Sequence, residues 1–208
     1  MRVAKVPEST ISRLSIYSRY LRFLAKRGKS LITSEELGQK MHFKSAQVRR
    51  DFAYFGHFGF RGKGYNVRKL SGELEKILGL NRRWPVAIVG AGNLGRALSA
   101  YPGFHQHGFQ ISAIFDNSPT KIGKTWQGVE ILDIKQIPKV VKERRIKIAI
   151  IAVPYFSAQQ VADILTHSGV KAILNFAPYK LAVPEGLKLK NIDLATELQS
   201  LSCFLTKE

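Results

Sequence analysis

A glycine-rich hexapeptide, Gly90-Ala91-Gly92-Asn93-Leu94-Gly95, constrains the fold of this 208-residue chain more than any other feature. It follows an apolar run at 85–89 and precedes a segment with helical periodicity. A strand, a GxGxxG turn and a helix in this order are typical of dinucleotide-binding folds, because the glycines permit a tight turn, close approach of a pyrophosphate and close helix packing. We therefore expect a Rossmann-like sheet that binds a dinucleotide at these six residues.

The segments after this motif alternate between strand and helix patterns, as a parallel α/β sheet requires. We predict strands over 110–115, 146–153 and 171–176, with helices over 135–144 and 157–167. The last two strands are apolar on both faces, which is typical of strands buried within a parallel sheet.

Asp116 is a candidate for the ribose contact, because it ends the strand 110–115, 26 residues after the first glycine of the motif. A carboxylate at this place accepts hydrogen bonds from the adenosine ribose and repels a 2′-phosphate, which favours NAD over NADP. The nearby Lys121 and Lys124 would weaken that preference. A turn residue at a strand end is the alternative explanation of Asp116.

Two further loops are expected at the same sheet edge. The segments AVPY at 152–155 and NFAP at 175–178 follow predicted strands, and open α/β sheets bind ligands at the carboxyl ends of their strands. Taken singly, each of these residues is also explained by an ordinary turn. From these two loops and from the segment after the strand 110–115, the residues that we predict at the cofactor are Asp116, Asn117, Lys121, Val153, Pro154, Asn175, Phe176 and Pro178.

Positive charge is concentrated at the other end of the chain. There are 33 Lys and Arg against 15 Asp and Glu, a formal net charge of +18, and residues 1–80 alone carry 17 basic and 6 acidic side chains. This asymmetry favours a nucleic-acid partner for the N-terminal region over a chain that is simply basic throughout. A basic membrane-surface helix fits less well, because the cations are spread over several predicted elements.

Two short helices joined by a tight turn are predicted in this basic region. Thr33 and Glu36 have capping-box spacing for the first, and Ser45 is expected to cap the second. In the second helix the apolar residues Val48, Phe52 and Phe55 share one face, which leaves Gln47, Arg49 and Arg50 on exposed faces. This pattern matches a helix-turn-helix that enters a major groove, and the alternative is a solvated helix face.

A glycine-rich segment, GHFGFRGKGY at 56–65, follows these helices. Its glycines suit a tight β-hairpin that presents Arg61 and Lys63 to a minor groove or to phosphates, as the wing of a winged helix does. The alternative is a flexible loop with incidental charges. The residues that we predict at DNA are Lys44, Ser45, Gln47, Arg49, Arg50, Arg61, Lys63 and Tyr65.

We therefore predict a winged helix-turn-helix domain over 1–80, a Rossmann-like domain over 81–190 and a C-terminal helix over 191–208. In that helix one leucine face, Leu194, Leu198, Leu201 and Leu205, packs either on its own sheet or on a second subunit. No apolar run approaches the roughly 20 residues of a membrane span, and no secretory signal is evident, so we expect a cytoplasmic protein. Cys203 is the sole cysteine, and we predict no metal site.

Several segments together resemble the bacterial redox-sensing transcriptional repressor family Rex. They are AQVRRDFAYFG at 46–56, FGFRGKGY at 58–65, VGAGNLGRAL at 89–98, AVP at 152–154, ILNFAP at 173–178 and the run from VPEG to DLATELQSL. The resemblance spans nearly the whole chain. It departs from the commonest pattern at Arg50, Phe52, Tyr155-Phe156 and Cys203.

The resemblance implies a homodimer with a swapped C-terminal helix that binds palindromic operator DNA, senses NAD⁺ and NADH, and releases DNA when NADH binds. It also implies a switch in which Asp193 alternates between Tyr101, beside the cofactor, and Arg19, with Leu194 of the partner completing an apolar pocket. Surface polar roles are the alternative for Arg19, Tyr101 and Asp193.

An NAD-dependent oxidoreductase with an appended nucleic-acid-binding domain is the competing hypothesis. Such an enzyme needs a general acid or base at the nicotinamide, and no His, YxxxK pair or Cys occupies a suitable position after the glycine motif. A DNA-binding protein without a ligand would leave the glycine motif unexplained. A sensor that is not an enzyme uses both halves of the chain.

Overall fold

The computed structural model describes residues 6–60 and 63–205, and the chain divides between Arg82 and Arg83 into two compact units. Within the first unit, the described helices are α1 (Glu8–Lys26), α2 (Ser34–Met41), α3 (Ser45–Ala53) and α4 (Val67–Ile77). Their apolar faces meet in one core around Leu14, Leu21, Val48, Val67 and Leu74, all fully buried. The helix pair α2 and α3 is the predicted helix-turn-helix.

The capping prediction is right for one of these two helices and wrong for the other. The Thr33 side chain accepts a hydrogen bond from the Glu36 N–H while the Glu36 side chain accepts one from the Thr33 N–H, a complete capping box. Helix α3 instead has Lys44 at its N-cap, with Ser45 as its first residue and no side-chain cap. The side chain of Asp51 holds this helix instead, as described below.

A small antiparallel sheet completes the first unit. Its strands β1 (Leu31–Ile32), β2 (Gly59–Phe60) and β3 (Gly64–Asn66) lie in the order β1-β3-β2. Gly64 has φ +77°, and a Cβ there would lie 2.6 Å from the Ile32 carbonyl oxygen, so only glycine fits. The strand pair β2 and β3 is the predicted wing hairpin, and Arg61 lies outside the described residues.

A buried carboxylate joins the helices of the first unit. The Arg13 guanidinium donates to both oxygens of Asp51 at 2.7 Å, while Thr10, Tyr17 and Gln47 donate to the same carboxylate. Burial raises the pKa of Asp51, but the hydrogen bonds from Arg13, Gln47 and Tyr17 outweigh it, so the pKa lies below its usual value. Helix α3 is thus fastened to α1 through a single ionised side chain.

The second unit is built on a mostly parallel sheet. Its described strands are β4 (Trp84–Val89), β5 (Phe109–Asp116), β6 (Thr125–Trp126), β7 (Val129–Asp133), β8 (Ile148–Ile151), β9 (Ala172–Asn175) and β10 (Lys188–Asn191), in the order β10-β9-β8-β4-β5-β7-β6. Only the β6–β7 pair is antiparallel among these described pairings. From β4 the chain proceeds first toward β5 and later toward β8, so the topological switch point lies between β4 and β8.

Helices accompany this sheet, and those predicted over 135–144 and 157–167 have similar bounds in the structure. The accompanying helices are α5 (Asn93–Ser99), α6 (Pro102–Gln106), α7 (Ile137–Glu143, after a 3₁₀ turn over Ile134–Gln136) and α8 (Tyr155–His167). The strand predicted over 146–153 is shorter in the structure, at Ile148–Ile151, and α6, β6, β7 and β10 were not predicted from the sequence. The predicted α/β fold with a winged helix-turn-helix followed by a Rossmann-like sheet is confirmed.

None of the residues of the C-terminal helix α9 (Leu194–Leu205) is buried. Leu198 and Phe204 are 68% and 73% exposed, so its apolar face does not pack on its own sheet. At its start the Asp193 carboxylate accepts hydrogen bonds from the Ala195 and Thr196 N–H groups. No helix of the described residues is long and apolar enough to cross a membrane.

Replacing Asp51 with Ala should destabilise the first unit by about 3 kcal/mol, because Arg13 and Tyr17 would lose a buried acceptor. Amide hydrogen exchange of α1 and α3 in the full chain measures this loss. Glu73→Ala is the matched control: it breaks the exposed Glu73–Lys76 pair and should cost less than about 1 kcal/mol. Equal effects of the two substitutions would contradict the role of Asp51.

The same carboxylate should make the unit acid-sensitive. Because the folded pKa of Asp51 lies below the unfolded value of about 3.9, its contribution is complete above that value and is lost as pH falls through the folded pKa. In Asp51→Ala the corresponding part of the acid dependence should disappear.

Candidate functional site

The glycine motif forms the turn between β4 and α5. Gly90 has φ +106°, and a Cβ there would lie 2.4 Å from the Ala152 carbonyl oxygen. A Cβ on Gly95 would lie 1.9 Å from the Gly90 carbonyl oxygen, so the helix packs directly on the turn. Gly92 differs, because a Cβ there would meet no atom within 4 Å, and this open side is where a ligand can approach the backbone.

Asp116 binds the glycine turn itself. Its Oδ2 accepts hydrogen bonds from the Ala91 N–H at 2.7 Å and the Lys121 Nζ at 3.1 Å, and its Oδ1 accepts one from the Ser118 N–H. Burial raises the pKa of Asp116, but these hydrogen bonds together hold it below its usual value. Three of about four acceptor positions on the carboxylate are therefore used within the protein.

A cleft of about 290 Å³ opens at the carboxyl ends of β4, β5 and β8, at the switch point. Of the predicted cofactor residues, Gly90, Gly92, Asp116, Asn117, Lys121, Val153 and Pro154 line it. Ser157, Gln160 and Ile164 of α8 also line it, and these three were not predicted from the sequence. The lining therefore combines the glycine turn with an apolar wall from Val153 and Pro154.

A second groove, of about 480 Å³, shares Gly92 and Lys121 with this cleft. It is lined as well by Ala91, Asn93, Arg96, Lys124, Trp126 and Ile131. The Arg96 guanidinium lies 5.8 Å from the centre of the Trp126 ring. The two cavities thus meet at the glycine turn. Arg96 and Trp126 were not predicted as site residues, and Trp126 belongs to the unpredicted strand β6.

Other predicted cofactor residues lie elsewhere in the described structure. Asn175 is fully buried, and its amide donates to the Ala177 and Tyr179 carbonyls and to Asn191. Phe176 packs in the core, whereas Pro178 is exposed. Tyr101 is 57% exposed and lines a separate groove with Phe104 and Val129. Their contacts with a cofactor remain predictions.

The predicted DNA residues lie on α3 and the wing. Lys44, Arg50 and Lys63 are exposed, and Arg49 donates to Ser34 and to Glu35, with its side chain 53% exposed. Gln47 donates to Asp51, and Tyr65 packs edge-on against Phe52. Arg49 and Gln47 are thereby oriented by two carboxylates that were not predicted to contact them.

The proposed switch residues are described one unit at a time. Arg19 is exposed on α1 in the first unit. Asp193 caps α9 in the second, and Leu194 follows it with its side chain 57% exposed. The hydrogen bonds from Thr196, and after them the one from Ala195, lower the pKa of the Asp193 carboxyl, whereas desolvation raises it. The hydrogen bonds outweigh desolvation, so the pKa lies below its usual value.

Comparisons with known proteins cover both units. The family described as CoA binding domain matches residues 81–179, and that described as putative DNA-binding protein N-terminus matches residues 5–53. Two curated relatives are named redox-sensing transcriptional repressor Rex. The Carboxydothermus hydrogenoformans protein is 50% identical over 100% of both chains, and the Pelotomaculum thermopropionicum protein is 47% identical over 100% of this chain and 98% of its own.

Solved structures of RSP, a Rex-family repressor, are similar to the whole chain. RSP in complex with β-NAD⁺ and operator DNA matches with 40% identity and a TM-score of 0.93, covering 97% of this chain and 93% of its own. RSP in complex with β-NADH matches with 37% identity and a TM-score of 0.86, covering 98% and 95%.

Substitutions in the glycine turn should separate binding from folding. Gly92→Val places its side chain in open space, so the unfolding temperature should be unchanged while NADH affinity falls at least about 10-fold through blocked approach of the pyrophosphate. Gly95→Ala should lower the unfolding temperature instead, because it collides with Gly90. NADH fluorescence titration and thermal unfolding measure both effects.

Gly72→Ala is the control, because its added methyl meets no atom within 4 Å in α4 of the other unit. It should leave NADH affinity unchanged. Wild-type NADH binding by Gly92→Val would contradict the placement of the ligand at this turn.

Proposed function

This chain belongs to the Rex family of redox-sensing transcriptional repressors, and on that premise we propose which of its residues carry the response to NADH. The protein is a DNA-binding repressor that senses the NADH/NAD⁺ ratio and leaves operator DNA when NADH binds its Rossmann-like unit. It is not an enzyme, as its relatives are named repressors. The observation that carries this conclusion is the similarity over 97% of the chain to a repressor bound to both β-NAD⁺ and operator DNA.

The nucleotide site suits a dinucleotide in its shape and its chemistry. The open side of Gly92 admits a pyrophosphate, and the two cavities on either side of it leave room for the two nucleoside halves. NAD(H) bound there supplies the redox-dependent charge of its nicotinamide ring. Lys121 and the backbone of the glycine turn would hold the phosphates, and Asp116 fixes that turn with one acceptor position left for a ribose hydroxyl.

The preference for NADH follows from burial of charge. The oxidised nicotinamide is cationic and the reduced ring is neutral, so an apolar wall disfavours the oxidised form. In our proposal Val153 and Pro154 form this wall, and Leu194 of a second subunit completes it.

The DNA interface in this proposal consists of α3 in the major groove and the wing at the minor groove. Lys44, Ser45, Gln47, Arg49 and Arg50 lie on or next to α3, and Lys63 and Tyr65 belong to the wing hairpin. Arg61, outside the described residues, is assigned to the wing from the sequence alone. Glu35 and Asp51 pre-orient Arg49 and Gln47. Two such domains in a homodimer would read the half-sites of a palindrome.

The exposed apolar face of α9 supports the proposed homodimer. An uncovered row of Leu194, Leu198 and Leu201, each more than half exposed, calls for a second surface that excludes water. A helix exchanged between two subunits would provide that surface. This proposal includes the domain limits 1–80, 81–190 and 191–208. It also includes a cytoplasmic location, because the DNA target is there.

The proposed relay joins the two functions through Asp193. A ligand shifts a two-state equilibrium only if it binds the two states with different affinity. Asp193 would pair with Tyr101 when the reduced cofactor is bound and with Arg19 when it is not. In the NADH-bound state the two winged helices would then no longer match the spacing of the operator half-sites. The competing hypothesis of an oxidoreductase is not favoured, because the curated relatives are named repressors and the described residues that line the cleft include no His, Cys or Tyr.

Tyr101→Phe should shift operator release to NADH concentrations about 10-fold higher, because only the NADH-bound state loses a charged hydrogen bond, worth about 1.5–3 kcal/mol. Asp193→Ala removes the proposed pair in both states, so operator binding should depend less on NADH than in wild type. Operator binding by fluorescence anisotropy across NADH and NAD⁺ titrations checks both expectations. Glu197→Gln, on the same helix, should behave as wild type.

Unchanged NADH sensitivity in both variants would overturn the relay alone. Release by NAD⁺ as readily as by NADH would overturn redox sensing.

A further inference from the structure

The dinucleotide site leaves a second charge excess unexplained. Residues 81–208 carry 16 basic and 9 acidic side chains, although binding of one dinucleotide uses few cations. At the cofactor edge of the sheet only Lys121 among the described residues forms an ion pair, with Asp116. Six of the remaining cations lie at the opposite edge of the sheet.

Strand register aligns these cations at the amino ends of four neighbouring strands. Ile148 of β8 pairs with Ala172 of β9, which pairs with Lys188 of β10. Lys147 and Lys171 directly precede the first two of these residues and are in register with each other, and Lys188 is offset from them by one residue on β10. On the other side of β8, Val86 of β4 pairs with Ile148. The basic edge, as we define it, consists of Arg83, Arg144, Arg145, Lys147, Lys171 and Lys188.

The charges of the basic edge are accessible and not neutralised. All six side chains are exposed, and within residues 6–60 and 63–205 none of the six forms an ion pair. Arg144 and Lys147 donate only to neutral acceptors, the Ser112 and Gly169 carbonyls. Glu143 and Glu185 are the acidic residues adjacent in sequence, so the edge keeps a strong positive charge.

The dimensions of the basic edge fit a duplex backbone. Neighbouring strands lie about 4.8 Å apart, so the row from β4 to β10 spans about 14 Å. Duplex DNA presents about one phosphate charge per 1.7 Å of axis, so several phosphates fall within this span. The six members of the basic edge are exposed Lys and Arg side chains, which commonly contact backbone phosphates.

The chain connects the DNA-binding unit to this same edge. Helix α4 ends at Ile77 and β4 begins at Trp84, with Arg83 of the basic edge immediately before it. A connection of six residues spans at most about 22 Å. Tethering of this kind raises the effective concentration of any DNA that the first unit holds.

We propose that the basic edge is a second, sequence-independent contact surface for the phosphate backbone of duplex DNA flanking the operator. This inference rests on the proposed function, since the first unit must hold the operator. It assigns a role to cations that neither the winged helix nor the nucleotide cleft uses.

The test compares two triple variants with equal loss of charge. Lys147→Gln/Lys171→Gln/Lys188→Gln removes the lysines of the basic edge. The control, Lys135→Gln/Lys139→Gln/Lys180→Gln, removes three exposed lysines that follow the carboxyl ends of β7 and β9. Each protein is titrated against two duplexes carrying a site selected by wild type from a random pool, one ending at the site and one with flanks of about 15 base pairs.

Wild type and control should bind the flanked duplex about 10-fold more tightly than the short one at low salt, and the basic-edge variant should lose this difference. Its slope of log affinity against log salt on the flanked duplex should fall by about 2–3, as expected for three lost phosphate contacts. All three proteins should bind the short duplex alike, which also shows that the variant is folded.

Equal dependence on flanks in all three proteins overturns the inference. The inference is also overturned if the basic-edge variant binds both duplexes like wild type but loses binding to phosphatidylserine vesicles, which would assign the edge to a membrane surface. If wild type selects no sequence at all, the proposed function fails together with this inference, whereas selective binding without any dependence on flanks overturns the inference alone.

Discussion

Backbone-to-backbone contact at the glycine turn is the constraint on which the nucleotide site depends. The turn leaves no space for a Cβ at Gly90 or Gly95, because the Ala152 and Gly90 carbonyl oxygens lie within 2.4 Å of those positions. Strand β4, helix α5 and the loop after β8 therefore converge on one point, and Asp116 fastens the turn to β5. The side that stays open is the side of Gly92, at the switch point of the sheet. Backbone packing at the glycine turn therefore determines where the cofactor site lies and which side of it is open.

In the first unit a single ionised carboxylate has the corresponding role. Asp51 lies within α3, yet it points into the unit, where it accepts hydrogen bonds from Arg13 and Tyr17 of α1. A buried carboxylate whose partners are removed is costly, so the orientation of α3 is tied to the integrity of this network. Because Gln47 also donates to Asp51, the network reaches the surface that is proposed to meet DNA. The same hydrogen-bond network therefore stabilises the fold of the unit and orients that surface.

The parts of the fold that were predictable are those with strong local patterns. The glycine turn, the apolar parallel strands and the capping box of α2 all depend on residues close together in sequence. Short elements such as β6, β10 and α6 have too few residues to show a period, so the groove lined by Arg96 and Trp126 was missed. Asp51 was missed for a different reason: Arg13 is 38 residues away, and nothing in a helical pattern marks a charged residue as buried. Likewise, the strand-end position of Asn175 suggested a ligand contact, whereas its amide is used by neighbouring carbonyls and Asn191.

In the proposed function the nucleotide cleft and the DNA surface are energetically coupled. The mutual effect of NADH and operator on each other's binding tests this coupling. By linkage, the factor by which NADH weakens operator binding must equal the factor by which operator weakens NADH binding. Isothermal titration of NADH into the free protein and into the protein saturated with operator measures the second factor independently of any release assay. We expect weaker NADH binding to the operator complex, by about 5- to 150-fold, the usual range of allosteric coupling. Equal NADH affinity in the two titrations would show that NADH binding and operator binding are not coupled.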